Sequence, residues 1–165
     1  MVIHIPPQLP PAYVDRDKVK QVLFNLLINA AKYSPRGGEI ALSVEEAAEL
    51  PADHPQGRFL LVTVRDQGIG IPPNETKRIF GRFYRTPWAL TQRVKGTGLG
   101  LFIVAQTAKR HGGRAFAHSE GVGRGATFTL ELPSAPGGRA FAHSDGVGRG
   151  ATFTLELPSA PNSRI

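Results

Sequence analysis

The chain has 165 residues, 41% of them hydrophobic, and a formal charge of +7 with no cysteine. That length fits one domain with a sizeable core, or one domain and an appendage, and the missing cysteines exclude disulfides and cysteine-ligated metals. No apolar run approaches the ~18 residues of a membrane span, and the 20 Lys and Arg are too dispersed to argue for nucleic acid.

The opening MVIHIPPQLPP has neither the basic nor the apolar region of a signal peptide, so a cytoplasmic chain without direct membrane insertion is expected. Val2 to Ile5 reads as a short strand, stopped by Pro6, Pro7, Pro10 and Pro11. Asp15 is placed to cap a helix whose Val19, Val22, Leu23, Leu26, Leu27 and Ala30 form one apolar stripe. Pro35 and the pair Gly37-Gly38 end that helix. On a neighbouring face Asn25, Asn29 and Lys32 line up, with Tyr33 at the edge. Asn competes for backbone hydrogen bonds and is a poor helix-interior residue, so this row is either a solvated flank or faces a ligand.

Glu39 to Val44 reads as a strand and Glu45 to Gly57 as a surface loop. Arg58 to Asp66 is apolar on both faces, as in a central strand. It runs into Asp66-Gln67-Gly68-Ile69-Gly70-Ile71-Pro72, which is either an ordinary turn or an acidic strand end with glycines that admit a ligand. Pro73 to Arg85 opens as a helix with Ile79, Phe80 and Phe83 as an apolar patch, and Thr86 to Lys95 reads as a mobile loop. Gly96-Thr97-Gly98-Leu99-Gly100-Leu101 then feeds a helix to about His111, ended by Gly112-Gly113. A glycine turn at a helix N-terminus offers free N–H groups to an anion. The GxGxG spacing, with no Gly-Lys-Ser/Thr, sets it apart from the dinucleotide fingerprint and the P-loop.

Residues 112–136 recur at 137–161 with one change, Glu120 becoming Asp145. Each copy reads as a hairpin, with strands near Arg114 to Ser119 and Ala126 to Leu132 in the first. Two copies fall short of the three or so that a stacked repeat needs. The chain is therefore divided at 1–136 and 137–165. Looping out one copy costs about 2 kcal/mol, so the first should fill the slot beside the Arg58–Asp66 strand. The second, with Phe141, Phe153 and Leu155, should extend a sheet edge or swap into another molecule, giving a dimer or strand-swapped oligomer, and otherwise stay disordered.

These segments, in this order, resemble the ATP-binding catalytic domain of bacterial sensor histidine kinases, within the superfamily of DNA gyrase, heat-shock chaperones and mismatch-repair ATPases. Residues 25–33 resemble the family's N box, Asp66 to Gly70 its first glycine box and residues 80–84 its F box. Gly96 to Gly100 resemble its second glycine box, and Gly125 to Phe128 with Leu132-Pro133 its closing strand.

The resemblance implies an α+β, two-layer sandwich: a mixed, mostly antiparallel sheet covered on one face by three helices. It implies ATP and Mg²⁺ as cofactors. Asn29, with Asn25 close by, would ligate Mg²⁺, and Lys32 and Tyr33 would approach the phosphates; Asn25, Asn29 and Lys32 are the catalytic candidates. Asp66 would accept the adenine amino hydrogen, with Thr127 behind the base. Gly68, Gly70 and Ile71 would border the nucleotide, and Gly96, Thr97, Gly98, Leu99, Gly100 and Leu101 would shape the phosphate end. Phe83, Arg85 and Lys95 complete the expected contacts, with one or two of Arg82, Arg85, Arg93 and Lys95 touching phosphate.

Asn25 holds the place of the water-activating glutamate of hydrolysing relatives. A positioned base is worth 10²–10⁴-fold, so transfer to a protein side chain is expected over hydrolysis. None of His4, His54, His111, His118 and His143 has the Ser-His-Glu/Asp-Leu-Arg neighbours of the phosphorylated histidine. The resemblance therefore implies two partners, a separate histidine-containing dimerisation domain and a response regulator, within a parent that has room for a membrane anchor. A serine kinase of the anti-sigma type and a non-catalytic nucleotide-binding module are the alternatives.

Overall fold

The computed structural model describes residues 1–12, 14–47 and 58–134, together with the backbone of two strands in 140–144 and 151–155. The elements are β1 (Val2–His4), α1 (Arg16–Lys32), β2 (Ile40–Glu46), β3 (Phe59–Asp66), α2 (Pro87–Thr91), α3 (Gly100–Arg110), β4 (Ala115–His118), β5 (Ala126–Pro133), β6 (Ala140–Ser144) and β7 (Ala151–Leu155). Five strands form a sheet in the order β1-β2-β3-β5-β4, in which β1 runs parallel to β2 and every other pair is antiparallel.

The expected mixed, mostly antiparallel α+β sheet with three α-helices is what forms. α1 buries Val22, Leu26 and Ala30, and α3 buries Val104, Thr107 and Ala108. These meet Leu42, Val44, Leu60, Val62, Val64, Phe128, Leu130 and Leu132 from the sheet in one core. β3 is central by pairing, and its Leu60, Val62, Val64 side is buried throughout; on the other side Phe59 is buried, Leu61 and Thr63 are half-covered and Arg65 is exposed. Two apolar faces in the sequence thus become one packed face and one partly solvated face.

Asp15 caps α1 as expected: its Oδ1 accepts from the N–H groups of Asp17 (3.0 Å) and Lys18 (3.1 Å). The Asp15 N–H itself donates to His111 Nε2 at 2.9 Å, and His111 Nδ1 lies 2.8 Å from the Thr107 carbonyl oxygen. A neutral ring with its proton on Nδ1 satisfies both bonds and ties the end of α3 to the start of α1. His111→Ala is expected to cost about 1 kcal/mol, read as a lower denaturant midpoint at unchanged slope.

The region between the two glycine boxes departs from expectation. Pro73 to Arg85 is two short 3-10 turns, Pro73–Glu75 and Arg78–Phe80. Gly81 is extended and Phe83 takes φ 60°, a left-handed conformation that stops any helix there. Thr86 to Lys95, expected as a loop, instead holds α2. Thr86 Oγ1 accepts from the Ala89 N–H at 3.2 Å and Pro87 occupies the first turn, a helix start spelled out in the Thr-Pro pair.

The first hairpin, β4–β5, fills the slot beside β3, and the second, β6–β7, forms a two-stranded sheet of its own. Edge extension of the larger sheet by the second copy, the first expectation, is therefore not seen among the described strands. β6 and β7 are neighbours in sequence, so pairing with each other requires no long closure. The rest of the second copy, and the loop at 48–57, lie outside the described residues. No described helix is long and apolar enough to cross a membrane.

Candidate nucleotide site

The site grows from the end of β3. Asp66 is 4% exposed, and its Oδ1 accepts from the N–H groups of Gly68 (2.8 Å) and Ala126 (3.2 Å). Burial pushes its carboxyl above the usual range, and the two N–H groups pull it part of the way back. With Oδ1 taken, Oδ2 is the oxygen left for a ligand.

The glycine loop after Asp66 is sewn to both neighbours. Ile69 N–H donates to the Tyr33 carbonyl at the end of α1 (2.9 Å), and Gly125 N–H donates to the Gly68 carbonyl (3.1 Å). Ser119 Oγ accepts from Ile71 N–H at 3.0 Å and donates to the Gly125 carbonyl at 2.7 Å. Side chains would not fit: a Cβ on Gly68 would lie 2.2 Å from the Tyr33 oxygen, and one on Gly70, at φ +70°, 2.0 Å from the Gly121 oxygen.

Around Asp66 lies a cavity of about 50 Å³, walled by Tyr33, Ile69, Gly70, Ile71, Ile79, Thr86, Leu101, Ala126 and Phe128. Sharing Ile69, Gly70 and Thr86 with it is a larger one of about 350 Å³, bounded also by Glu75 and Trp88. The inner space is large enough for only a few waters. The α2 segment closes part of this wall: Thr86 borders both cavities, and the Trp88 ring meets Tyr33 at 6.4 Å between centroids.

The other end of the candidate site, the one expected to face phosphate, is built where α3 begins. Gly100 stands beside the Asn row: a Cβ there would be 3.8 Å from Asn25 Oδ1 and 3.9 Å from Asn29 Nδ2. Asn25 Nδ2 is buried with no hydrogen-bond partner among the described residues. Lys32 Nζ lies 2.6 Å from where a Gly96 Cβ would sit and 5.4 Å from the Tyr33 ring centroid. Burial, and then the charge of Arg85, lower the Lys32 pKa. The Tyr33 pKa is raised by burial against the smaller opposing pull of Arg85. Gly98 fits against the Phe83 backbone, where a Cβ would be 2.7 Å from its carbonyl carbon.

The structure thus brings Asn25, Asn29, Lys32, Tyr33, Gly96, Gly98 and Gly100 to one end and Asp66, Gly68, Gly70, Ile71 and Leu101 to the other. Leu99 precedes the first turn of α3 and makes no side-chain cap. Lys95 and Thr97 are exposed, and Phe83 turns outward, 59% exposed. Arg82 stacks over the Phe83 ring at 4.8 Å. Arg85 is spent on the backbone, donating to the carbonyls of Val94 and, at 3.5 Å, Ala89.

Thr127 is not brought to the base cavity. In the β3–β5 register Asp66 pairs with Ala126 and Arg65 with Thr127. Alternation along the strand therefore puts Thr127 on the face of exposed Arg65, opposite Asp66. Ala126 takes the expected place, through its N–H and its position in the cavity wall. Ile79, Thr86, Ser119 and Phe128 also belong to the site without having been singled out. Only the Thr86-Pro87 helix start was readable beforehand.

Sheet order, glycine-bounded cleft and helix end define a nucleotide-binding domain of the α+β type. Residues 14–136 match the family described as Histidine kinase-, DNA gyrase B-, and HSP90-like ATPase, and the chain belongs to that family. It is 43% identical over 106 residues to the sensor histidine kinase WalK of Bacillus subtilis (strain 168), an overlap of 64% of this chain and 16% of that protein. It is 38% identical over 118 residues to the sensor protein kinase WalK of Staphylococcus epidermidis, 72% of this chain and 18% of that one. The chain thus spans under a fifth of the length of these two relatives.

Among solved structures, the catalytic domain of histidine kinase ThkA in a nucleotide-free form superposes with a TM-score of 0.63 at 28% identity, covering 82% of this chain and 80% of that one. Full-length ShkA in complex with AMPPNP superposes at 0.60 and 28% identity, over 82% of this chain and 27% of that one.

Proposed function

We propose that this chain is the catalytic domain of a two-component sensor kinase, binding Mg·ATP and passing the γ-phosphate to a histidine on a separate helical dimerisation domain. The observation that carries the reading is the convergence of Asn25, Asn29 and Lys32 on the glycine turn that opens α3. The helix end offers free N–H groups to phosphate, and a bound polyanion would relieve the Lys32 ammonium of its burial and of Arg85's repulsion. AMPPNP in the ShkA relative points the same way.

The donor set fits magnesium. Among the described residues no three His, Cys, Asp or Glu side chains gather to hold a metal. Asn29, with Asn25 beside it, would instead supply amide oxygen to a Mg²⁺ shared with the phosphates, the mode this ion favours. When bound, the ion neutralises charge on the phosphate chain. Asp66 orients the base through Oδ2, Gly96 to Gly100 leave space for the phosphates, and α2 covers the base and excludes water. Asn25 has no basicity to activate water, which favours a delivered side chain as acceptor.

The dimerisation domain in trans with labelled ATP is the deciding experiment. Acid-labile phosphohistidine supports the proposal, phosphoserine on an anti-sigma partner replaces it, and nucleotide binding without transfer to any acceptor reduces the domain to a binding module. The phosphoryl group would pass from that histidine to a response regulator, leaving the imidazole free, and the parent would hold this domain in the cytoplasm, tethered or free. Asn29→Ala is expected to remove the magnesium-dependent part of ATP affinity, roughly tenfold, leaving metal-free affinity intact in paired titrations.

A further inference from the structure

Among the described residues the first hairpin, not the second, borders the candidate site, yet the second copy's sequence carries every residue with which the first builds the site's floor. In the first copy, Ala126 N–H caps Asp66 Oδ1, and a Cβ on Gly125 would lie 2.2 Å from the Asp66 carbonyl oxygen. Gly113 packs where a Cβ would be 1.9 Å from the Glu131 carbonyl oxygen, and Arg114 Nε donates to Glu131 Oε2 at 2.6 Å. The repeat has Ala151, Gly150, Gly138, Arg139 and Glu156 at the corresponding places. The single difference, Glu120 against Asp145, falls on an exposed position of the first copy.

The backbones agree as well. β4 pairs with β5 as Ala115↔Leu130 to His118↔Thr127, and β6 pairs with β7 as Ala140↔Leu155 to His143↔Thr152, the same register 25 residues on. A lone two-stranded hairpin is marginal in water, whereas the slot beside β3 supplies a third strand and a core. Each copy therefore gains the same contacts in the slot, and connectivity alone ranks them.

We propose that the two hairpins compete for this slot within one molecule. In a minor fraction of chains β6–β7 replaces β4–β5 with residues 112–136 looped out, and the spare copy sustains the domain when the first is damaged. Lengthening the link after α3 from about 4 to about 29 residues favours the first copy by roughly twentyfold, the ~2 kcal/mol of the longer closure. A short tether gives the spare an effective concentration in the millimolar range, well above that of a second molecule, so replacement stays within the chain.

The cysteine-free sequence makes the test clean. Thr63 Oγ1 and Thr129 Oγ1 stand 3.5 Å apart across β3 and β5, and Thr154 is the counterpart of Thr129 in the repeat. In the full chain, Thr63→Cys with Thr129→Cys reports the first copy, and Thr63→Cys with Thr154→Cys the second. In glutathione redox buffers both pairs should close within one chain, the second with roughly twentyfold lower effective molarity. Adding Leu130→Asp, at a position 0% exposed, should bring the second pair up to the level of the first. Leu130→Asp alone should keep a cooperative unfolding transition that Leu130→Asp with Leu155→Asp loses. An absent Thr63–Thr154 bond, a bond only between chains, or a single Leu130→Asp variant as unfolded as the double would overturn the proposal.

Discussion

Asp66→Asn should lose about 100-fold in ATP affinity while the domain stays folded. Oδ1 already accepts from Gly68 and Ala126, so the replacement amide must keep its oxygen there. Its NH₂ then takes the place of Oδ2 and turns a donor toward the amino group of adenine, itself a donor. One favourable bond becomes a buried mismatch, whose cost of about 1–3 kcal/mol sets the size of the effect.

Stability should move the other way. The folded-state pKa of Asp66 is raised, so its carboxylate opposes folding once ionised. For an acid shifted in this direction, the folded state binds the extra proton; the contribution is whole below the unfolded pKa and is lost as pH rises through the folded one. Removing the charge should therefore leave stability at neutral pH equal or higher and erase the difference at acid pH. Calorimetric nucleotide titration with denaturant melts at both pH values checks both halves. A variant that binds ATP normally removes Asp66 from purine recognition.

Gly70→Ala should be the most damaging single change outside the repeated segment. At φ +70° an alanine is strained by about 1–2 kcal/mol, and its Cβ would lie 2.0 Å from a backbone oxygen of Gly121. Backbone cannot rotate away as a side chain can, so the loop must part from the β4–β5 turn. The Gly123 N–H to Ile69 carbonyl bond (2.6 Å) would be lost with it. A loss of roughly 3 kcal/mol and a purine wall open to water are expected, measured as a lower unfolding midpoint and at least tenfold weaker nucleotide binding. Gly37→Ala, at similar φ (+75°) but with nothing within 4 Å, is the control that carries strain alone.

Several features could be read directly because their cause is local. The α1 stripe, its Asp15 cap and the glycine turn before α3 each depend on neighbours within a turn or two of chain. The Asn25, Asn29, Lys32 row needed only helical periodicity to be placed on one face. What faces it, the start of α3 some 70 residues later, needed the resemblance. The middle of the chain misled for an opposite reason. Ile79, Phe80 and Phe83 suggest a helical patch, but a left-handed Phe83 and an extended Gly81 break it. The Thr86-Pro87 start of α2 is a local signal, but the basic, aperiodic residues that follow it carry no helical stripe.

By itself, the sequence determined the elements that short-range chemistry sets: the capped helix, the apolar centre of β3, the acidic strand end and the two glycine turns. Tertiary structure alone decided that Ala126 and not Thr127 meets Asp66, that α2 walls the base cavity, and that the first hairpin holds the slot while the second pairs with itself. A side chain's face in a sheet follows from register, and register is set by partners as far apart as residues 66 and 126. Between two nearly identical hairpins, local preference is the same for both, and the length of the intervening chain makes the choice.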